Sequence, residues 1–278
     1  MPHDQPYSML TANLVRSVRV LHVSPEGTTS RADVAATEEP MEVRVDGEPL
    51  AVIMRTPGAD HQLTAGFLFS EGVITCAGDI ESLERDPRSA NVMQVRIREA
   101  RSADIAARAV ARRRVLMNSS CGLCGRVTIE SLRVHAPMIV AEWTVPARLI
   151  ETLPEALRRA QAVFDETGGL HGAGLFDRSG ALDVVAEDVG RHNAVDKVIG
   201  RMLLDARLPL DQSILFVSGR TSYEIVQKAF LAGIPVVGAV SAPSSLAVEL
   251  ADDAGMTLLG FVRGATFNVY SHRARVAC

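Results

Sequence analysis

The chain has 278 residues, a length that suggests roughly two compact units. Hydrophobic residues make up 47% and charged residues 22%, which excludes a disordered or fibrous chain. The net charge of −4 gives no basic field of the kind that marks nucleic-acid binding, and four cysteines are too few for a disulfide scaffold. No apolar run reaches the ~18 residues of a membrane span. The stretch Met1 to Leu10 lacks the apolar core of a signal peptide, so the expectation is a cytoplasmic protein with reduced thiols.

Residues 1–35 are polar and mixed, with one strand-like run from Ser17 to Val23. Alternation appears from Met41 to Val45 and from Leu50 to Met54, and Asp46-Gly47 between them signals a hairpin. Pro49 weakens that second strand or confines it to an edge. Asp60 is placed to N-cap a short helix whose face carries Leu63, Phe67 and Leu68. Val92 to Ile97 reads as a further strand, and Arg112-Arg113-Arg114 is a short basic run. This first portion, residues 1–140, reads as α+β.

The rhythm changes near residue 141. Pro146 suits a first helical position, and Leu149, Ile150, Leu153, Leu157, Ala160 and Phe164 follow at helical spacing up to Gly168-Gly169. Pro154 predicts a kink or split in that helix. Strands are predicted at Ala173–Phe176, Leu182–Val185, Ile214–Val217, Val236–Val240 and Leu258–Val262. Helices are predicted at Asn193–Met202, after a capping box Thr221-x-x-Glu224, and at Ser245–Ala254. Such alternation predicts an α/β domain over residues 141–278 with a parallel or mixed sheet.

The stretch Ser120-Cys121-Gly122-Leu123-Cys124-Gly125-Arg126 carries the most chemistry. Two thiols at this spacing suit half a zinc site, a dithiol redox pair, or a nucleophilic thiolate that carries a group on sulfur. A zinc site needs two more ligands, and Cys76 and Cys278 are isolated. The redox pair usually opens a helix, where Gly122 and Gly125 fit poorly. The carrier reading fits the glycine flanks and the nearby arginines. Two buried, inert cysteines remain the ordinary alternative.

Ser218-Gly219-Arg220 lies between a buried strand and a helix start, where open α/β sheets bind anions. Arg263 ends another strand, and both arginines are placed to meet one anionic ligand. His171 sits in a glycine-dense run, Gly168 to Gly174. Glu187-Asp188-Val189-Gly190-Arg191-His192-Asn193 packs acids, arginine and histidine before a helix, which suits ligand contact, acid/base chemistry or a plain capped helix start.

In this order and spacing, the motifs resemble the FdhD/NarQ family. The resemblance runs from about Met41 to Tyr270 and rests on Arg55-Thr56-Pro57-Gly58, Gly66-Phe67-Leu68-Phe69-Ser70-Glu71-Gly72, the Cys121–Cys124 loop, His171-Gly172-Ala173, Glu187 to Lys197, Ser218-Gly219-Arg220, Gly260-Phe261-Val262-Arg263 and Asn268-Val269-Tyr270. It implies a sulfurtransferase that takes persulfide sulfur from a cysteine desulfurase. The sulfur passes to the molybdenum (or tungsten) bis-guanine-dinucleotide cofactor, which formate dehydrogenase requires. That cofactor is cargo, and no permanently bound metal is expected. The resemblance assigns Cys121 as persulfide carrier and Cys124 as its second cysteine. It assigns cofactor binding to Phe261, Val262, Arg263, Gly264, Ala265 and Thr266, with Thr266 late in the stretch where a more polar or basic residue is expected. Ser218, Gly219, Arg220 and His171 join them as candidate contacts. It further implies a homodimer and a cytidine-deaminase-like mixed sheet with helices on both faces, beside the smaller α+β portion. Deaminase chemistry does not follow, since Ser120 precedes Cys121 and no His-x-Glu is present. The rival reading is a non-catalytic chaperone that only holds the cofactor and docks on formate dehydrogenase.

Overall fold

A computed structural model of the chain describes residues 14–98 and 137–277. The cysteine pair Cys121 and Cys124 and the Arg112-Arg113-Arg114 run lie outside the described residues.

Asp46 and Gly47 both take the left-handed φ that a tight hairpin turn needs, at 50° and 84°. They join β3 (Glu39–Val45) to β4 (Glu48–Arg55), as the sequence predicts. Strands β5 (Ile80–Arg85) and β6 (Val92–Ile97) complete a four-stranded sheet in the order β4-β3-β6-β5. Pro49 is tolerated because β4 is an edge strand. Before this sheet, β1 (Val15–Ser24) and β2 (Gly27–Ala36) form an antiparallel ribbon. Sequence reading placed only the first of them. Every residue of β2 is exposed or half-buried, so no apolar alternation marks it.

Helix α1 (Asp60–Ser70) begins one residue earlier than a capping Asp60 requires. Ala59 is the N-cap, and no side chain caps the helix. The Asp60 carboxylate instead accepts from Arg55 Nε at 2.9 Å and from Arg85 Nη2 at 2.9 Å, and two guanidinium groups outcompete a backbone N–H for it.

The second portion opens with β7 (Val145–Pro146), α2 (Ala147–Arg159) and α3 (Ala162–Thr167). Pro146 is the N-cap rather than the first helical residue. Helix α2 runs through Pro154, and the break falls at Ala160-Gln161 instead. Ile150, Leu153 and Leu157 are each at most 1% exposed on one face of α2. At about 1.5–3 kcal/mol apiece, their burial outweighs the ~3 kcal/mol of a mid-helix proline.

There follow β8 (His171–Asp177), β9 (Leu182–Asp188), α4 (Arg191–Leu204), β10 (Ser213–Val217), α5 (Tyr223–Leu231), β11 (Val236–Ala239), α6 (Ser245–Asp253), β12 (Thr257–Arg263), β13 (Thr266–Ser271) and β14 (Val276–Ala277). Six strands form a mixed sheet in the order β13-β12-β11-β10-β8-β9. Strands β10, β11 and β12 are mutually parallel, and β8 runs antiparallel to β10. Alternation in β10 feeds both faces. Ile214 and Phe216 pack with Ile150, Leu153 and Leu157 of α2. Leu215 and Val217 pack with residues of α4, α5 and α6. The fold is thus mixed α/β, with helices on both faces of the larger sheet.

The same cluster that holds α4 also contains Met41, Val43, Met93 and Val95 of the first sheet, so the two portions share one core. Helices α1 and α4 cross at two glycines. A Cβ on Gly66 would lie 1.9 Å from the Asp196 carbonyl oxygen, and one on Gly200 would lie 1.9 Å from that of Gln62.

Candidate functional site

Parallel β10, β11 and β12 deliver their carboxyl ends to one edge of the sheet, and antiparallel β8 starts at that edge. Backbone hydrogen bonds stitch the loops there into one surface. Ser218 N–H donates to Gly172 O at 2.9 Å, Thr221 N–H to Ala242 O at 3.2 Å, Ser244 N–H to Thr221 O at 3.0 Å and Phe261 N–H to Ser241 O at 3.1 Å. This is where open α/β sheets hold ligands.

His171, Ser218 and Gly219 are brought together on this edge. The Ser218 hydroxyl accepts from Gly172 N–H at 2.8 Å. Gly219 fits between the His171 imidazole and the Arg191 side chain, since a Cβ there would lie 3.3 Å from His171 Nδ1 and 3.8 Å from Arg191 Cδ. Burial holds the His171 imidazole below its ordinary value of 6.5. The positive Arg191 and His192 push the same way, against Asp188. His171 and Ser218 also line a cavity of about 480 Å³ with Pro154, Leu157, Arg158, Gln161, Phe164 and Val240.

Arg263 reaches the same edge, and its Nε donates to the Val240 carbonyl at 3.0 Å. Its guanidinium lies 5.6 Å from the Phe261 ring centre. Phe261 takes a left-handed φ of 52° at an irregularity of the β12–β13 pairing, a conformation costly for a bulky residue. Gly264 and Ala265 form the turn, and the Thr266 hydroxyl donates back to Arg263 O at 3.2 Å. Val262 points the other way, fully buried in the core cluster that holds α2. Arg220 is exposed on its loop.

The acidic motif before α4 divides its labour. Asp188 is fully buried and binds Lys197 Nζ at 2.7 Å. It also accepts from Thr56 N–H at 3.1 Å and Gly190 N–H at 2.8 Å. Glu187 accepts from the Val163 and Phe164 N–H groups at 3.0 and 2.8 Å and so holds the start of α3. Burial pushes its carboxyl above the ordinary value, because desolvation outweighs those two hydrogen bonds. These acids are structural. His192 Nε2 lies 2.6 Å from Glu224 Oε2 and 3.0 Å from the Ser222 hydroxyl. The predicted capping box is therefore not formed. Ser222 is the N-cap of α5, Glu224 is drawn to His192, and Thr221 Oγ1 is buried with no hydrogen-bond partner among the described residues.

The sequence profile of the FdhD/NarQ family matches residues 36–277. The chain belongs to the FdhD/NarQ family. Similar proteins include one named "Sulfur carrier protein FdhD" from Streptomyces coelicolor, 47% identical over 93% of this chain and 94% of that protein. A protein of the same name from Sulfurisphaera tokodaii is 44% identical over 94% of this chain and 99% of its own length. The fold matches the crystal structure of a putative formate dehydrogenase accessory protein from Desulfotalea psychrophila, with a TM-score of 0.76 and 26% identity, covering 95% of this chain and all of that one. Among the described residues of this FdhD/NarQ chain, no helix is long and apolar enough to cross a membrane.

Arg191 was named in the sequence only as part of the Glu187–Asn193 motif, and Gln161 escaped the reading. Arg191 Nε is buried without a hydrogen-bond partner beside Gly219. Gln161 is 2% exposed, lines the cavity, and its Nε2 has no partner. The one signal for it is a polar residue set between the apolar positions Leu157 and Phe164.

Proposed function

We propose that this chain is a sulfur carrier in formate dehydrogenase maturation. The observation that carries the reading is similarity over 92–94% of the chain, at 44–47% identity, to proteins named as sulfur carriers. Cys121 is the carrier. Its thiolate attacks the outer sulfur of a persulfide on a cysteine desulfurase, the desulfurase cysteine leaves as thiolate, and Cys121 keeps the sulfur as a persulfide. A persulfide is more acidic than a thiol and is anionic at neutral pH. Cys121 then presents the sulfur to the bis-guanine-dinucleotide cofactor of formate dehydrogenase, which is substrate here.

The stitched edge of the larger sheet supports the cofactor half of this reading. Its loops carry Ser218, Gly219 and Arg220, then Phe261 to Thr266, with His171 beside them. Arg220 and Arg263 supply charge-assisted hydrogen bonds to the dinucleotide phosphates. The protein acts in the cytoplasm, as a homodimer.

Intact-mass spectrometry after incubation with a cysteine desulfurase and cysteine tests the reading. The wild type gains one or more reductant-labile sulfur atoms, and Cys121→Ala gains none. Loading of Cys124→Ala reports whether the second cysteine is needed. A wild type that gains no sulfur from an active desulfurase overturns the carrier role and leaves a cofactor-binding chaperone.

A further inference from the structure

We propose that the β1–β2 ribbon is the surface on which two copies of this chain meet, β2 pairing antiparallel with its own counterpart about a two-fold axis at Ala32. The inference rests on the homodimer part of the reading above and names the surface that forms it. It does not depend on the sulfur chemistry.

The ribbon is ten residue pairs long, from Val15 opposite Ala36 to Ser24 opposite Gly27, and no third strand joins it among the described residues. Two strands alone are marginally stable in water, and further strands or a packed helix must supply the rest. The body of the protein holds the ribbon at its root. There Thr37 N–H donates to Leu14 O at 2.8 Å, Arg16 pairs with Glu39, and a Cβ on Gly169 would lie 3.3 Å from that of Ala36. Farther out, Leu21 is 67% and Val23 68% exposed. The register sets Leu21, Val23, Ala32 and Val34 on one face of the ribbon.

Charge selects the partner. Strand β1 carries Arg16, Arg19 and His22 and no acid, so its free edge repels a second copy of itself. Strand β2 carries Arg31 and Asp33 on either side of Ala32. Both are exposed, and neither makes an ion pair among the described residues; the Asp33 carboxylate accepts only from Val34 N–H, at 2.9 Å. Antiparallel pairing centred on Ala32 sets Arg31 opposite the partner's Asp33, and Asp33 opposite the partner's Arg31. Moving the axis to Arg31 or to Asp33 sets like charges face to face, so the register is specified. Within the ribbon Val20 lies beside Arg31 and Val18 beside Asp33, and each new ion pair is therefore flanked by valines. On the other face Ser30 meets the partner's Val34, with Leu21 next in the same row. The apolar side chains of both copies then share one face of a four-stranded sheet. The contact is isologous and closes at two copies, because the basic β1 strands form both outer edges.

Sedimentation equilibrium of the full chain tests this, using wild type, Asp33→Arg, Arg31→Asp and the double variant that carries both changes. The wild type is a dimer. Each single variant opposes like charges twice and raises the dimer dissociation constant about tenfold. The double variant exchanges the two charges and recovers the wild-type constant. An equimolar mixture of the single variants forms a heterodimer, because one chain is then basic at both positions and the other acidic. Both positions are exposed, so far-UV circular dichroism of all four proteins stays the same. A wild-type dimer that the single variants leave unchanged overturns the proposal while the homodimer stands on another surface. Single variants that dissociate but do not associate with each other overturn the antiparallel pairing. A wild type that is monomeric throughout overturns the homodimer reading, and this inference with it, while sulfur loading of Cys121 remains a separate readout.

Discussion

Lys197 Nζ lies 2.7 Å from Asp188 Oδ2, and neither side chain has more than 3% of its surface exposed. Lys197 also donates to the Thr56 and Glu187 carbonyls at 2.9 and 3.0 Å, and Asp188 accepts from Thr56 N–H. The pair therefore pins the loop after β4 to the start of α4. Breaking a buried pair strands one charge, which costs about 3–5 kcal/mol, more than the net worth of the intact pair. Asp188→Ala is expected to lose that much stability, read as a fall in the urea midpoint. The double variant Asp188→Ala with Lys197→Met is expected to recover most of it. A double variant as unstable as the single one would show that the stranded charge is not the cause.

Gly66→Ala sets two effects against each other. Helix propensity alone favours alanine by about 1 kcal/mol. The new Cβ, however, lies 1.9 Å from a backbone carbonyl that no rotamer change can move. The helices must separate, and overpacking costs about 1–3 kcal/mol or more. The net expectation is destabilisation for Gly66→Ala and for Gly200→Ala alike, seen in thermal melts. A rise in the melting temperature would refute the close crossing.

His171 gives a pH signature. Burial, and then Arg191 and His192, hold its imidazole below 6.5, so the unfolded chain binds the proton more readily than the folded one. Its contribution to stability is complete above 6.5 and is lost as the pH falls from there through the folded value. Comparing urea midpoints at pH 7.5 and 5.0 checks this. The wild type is expected to lose more stability on acidification than His171→Asn.

Glu187 acts with the opposite sign. Its folded value is raised above 4.5, so its contribution is present below 4.5 and is lost as the pH rises through the folded value. The stability advantage of wild type over Glu187→Gln is therefore expected to shrink between pH 4 and pH 7.5. Parallel denaturant titrations read it, and an advantage that grows would contradict desolvation as the dominant cause.

Arg263→Ala is expected to weaken pyrophosphate binding and flatten its salt dependence, because a charge-assisted contact is removed. Its bond to Val240 is made by a surface side chain, so the melting temperature should hold. Unchanged affinity would move the phosphates away from the end of β12.

Local chemistry was legible and remote partnership was not. Asp46-Gly47 announced its hairpin because the turn geometry depends on those two residues alone. Five of the six strands of the larger sheet were legible from their short apolar runs between turn signals, while β13, largely exposed or half-buried, was not. Asp60, Thr221 and Glu224 misled because capping patterns assume that a side chain serves its own helix. Arg85 and His192 claim those carboxylates from 25 and 32 residues away. The Ser218, Gly219 and His171 grouping was anticipated through motifs, while Gln161 was not. Its place depends on the absent Cβ of Gly172, a residue on another element.

The stitched loops at the sheet edge give the proposed ligand surface a main-chain foundation. Peptide groups at positions 172, 218, 221, 241, 242, 244 and 261 hold one another, whatever side chains those positions carry. Contour and chemistry are therefore set by separate parts of the chain. Exchanging an arginine or a serine there is expected to alter what the proposed site holds, while the main-chain platform keeps its shape.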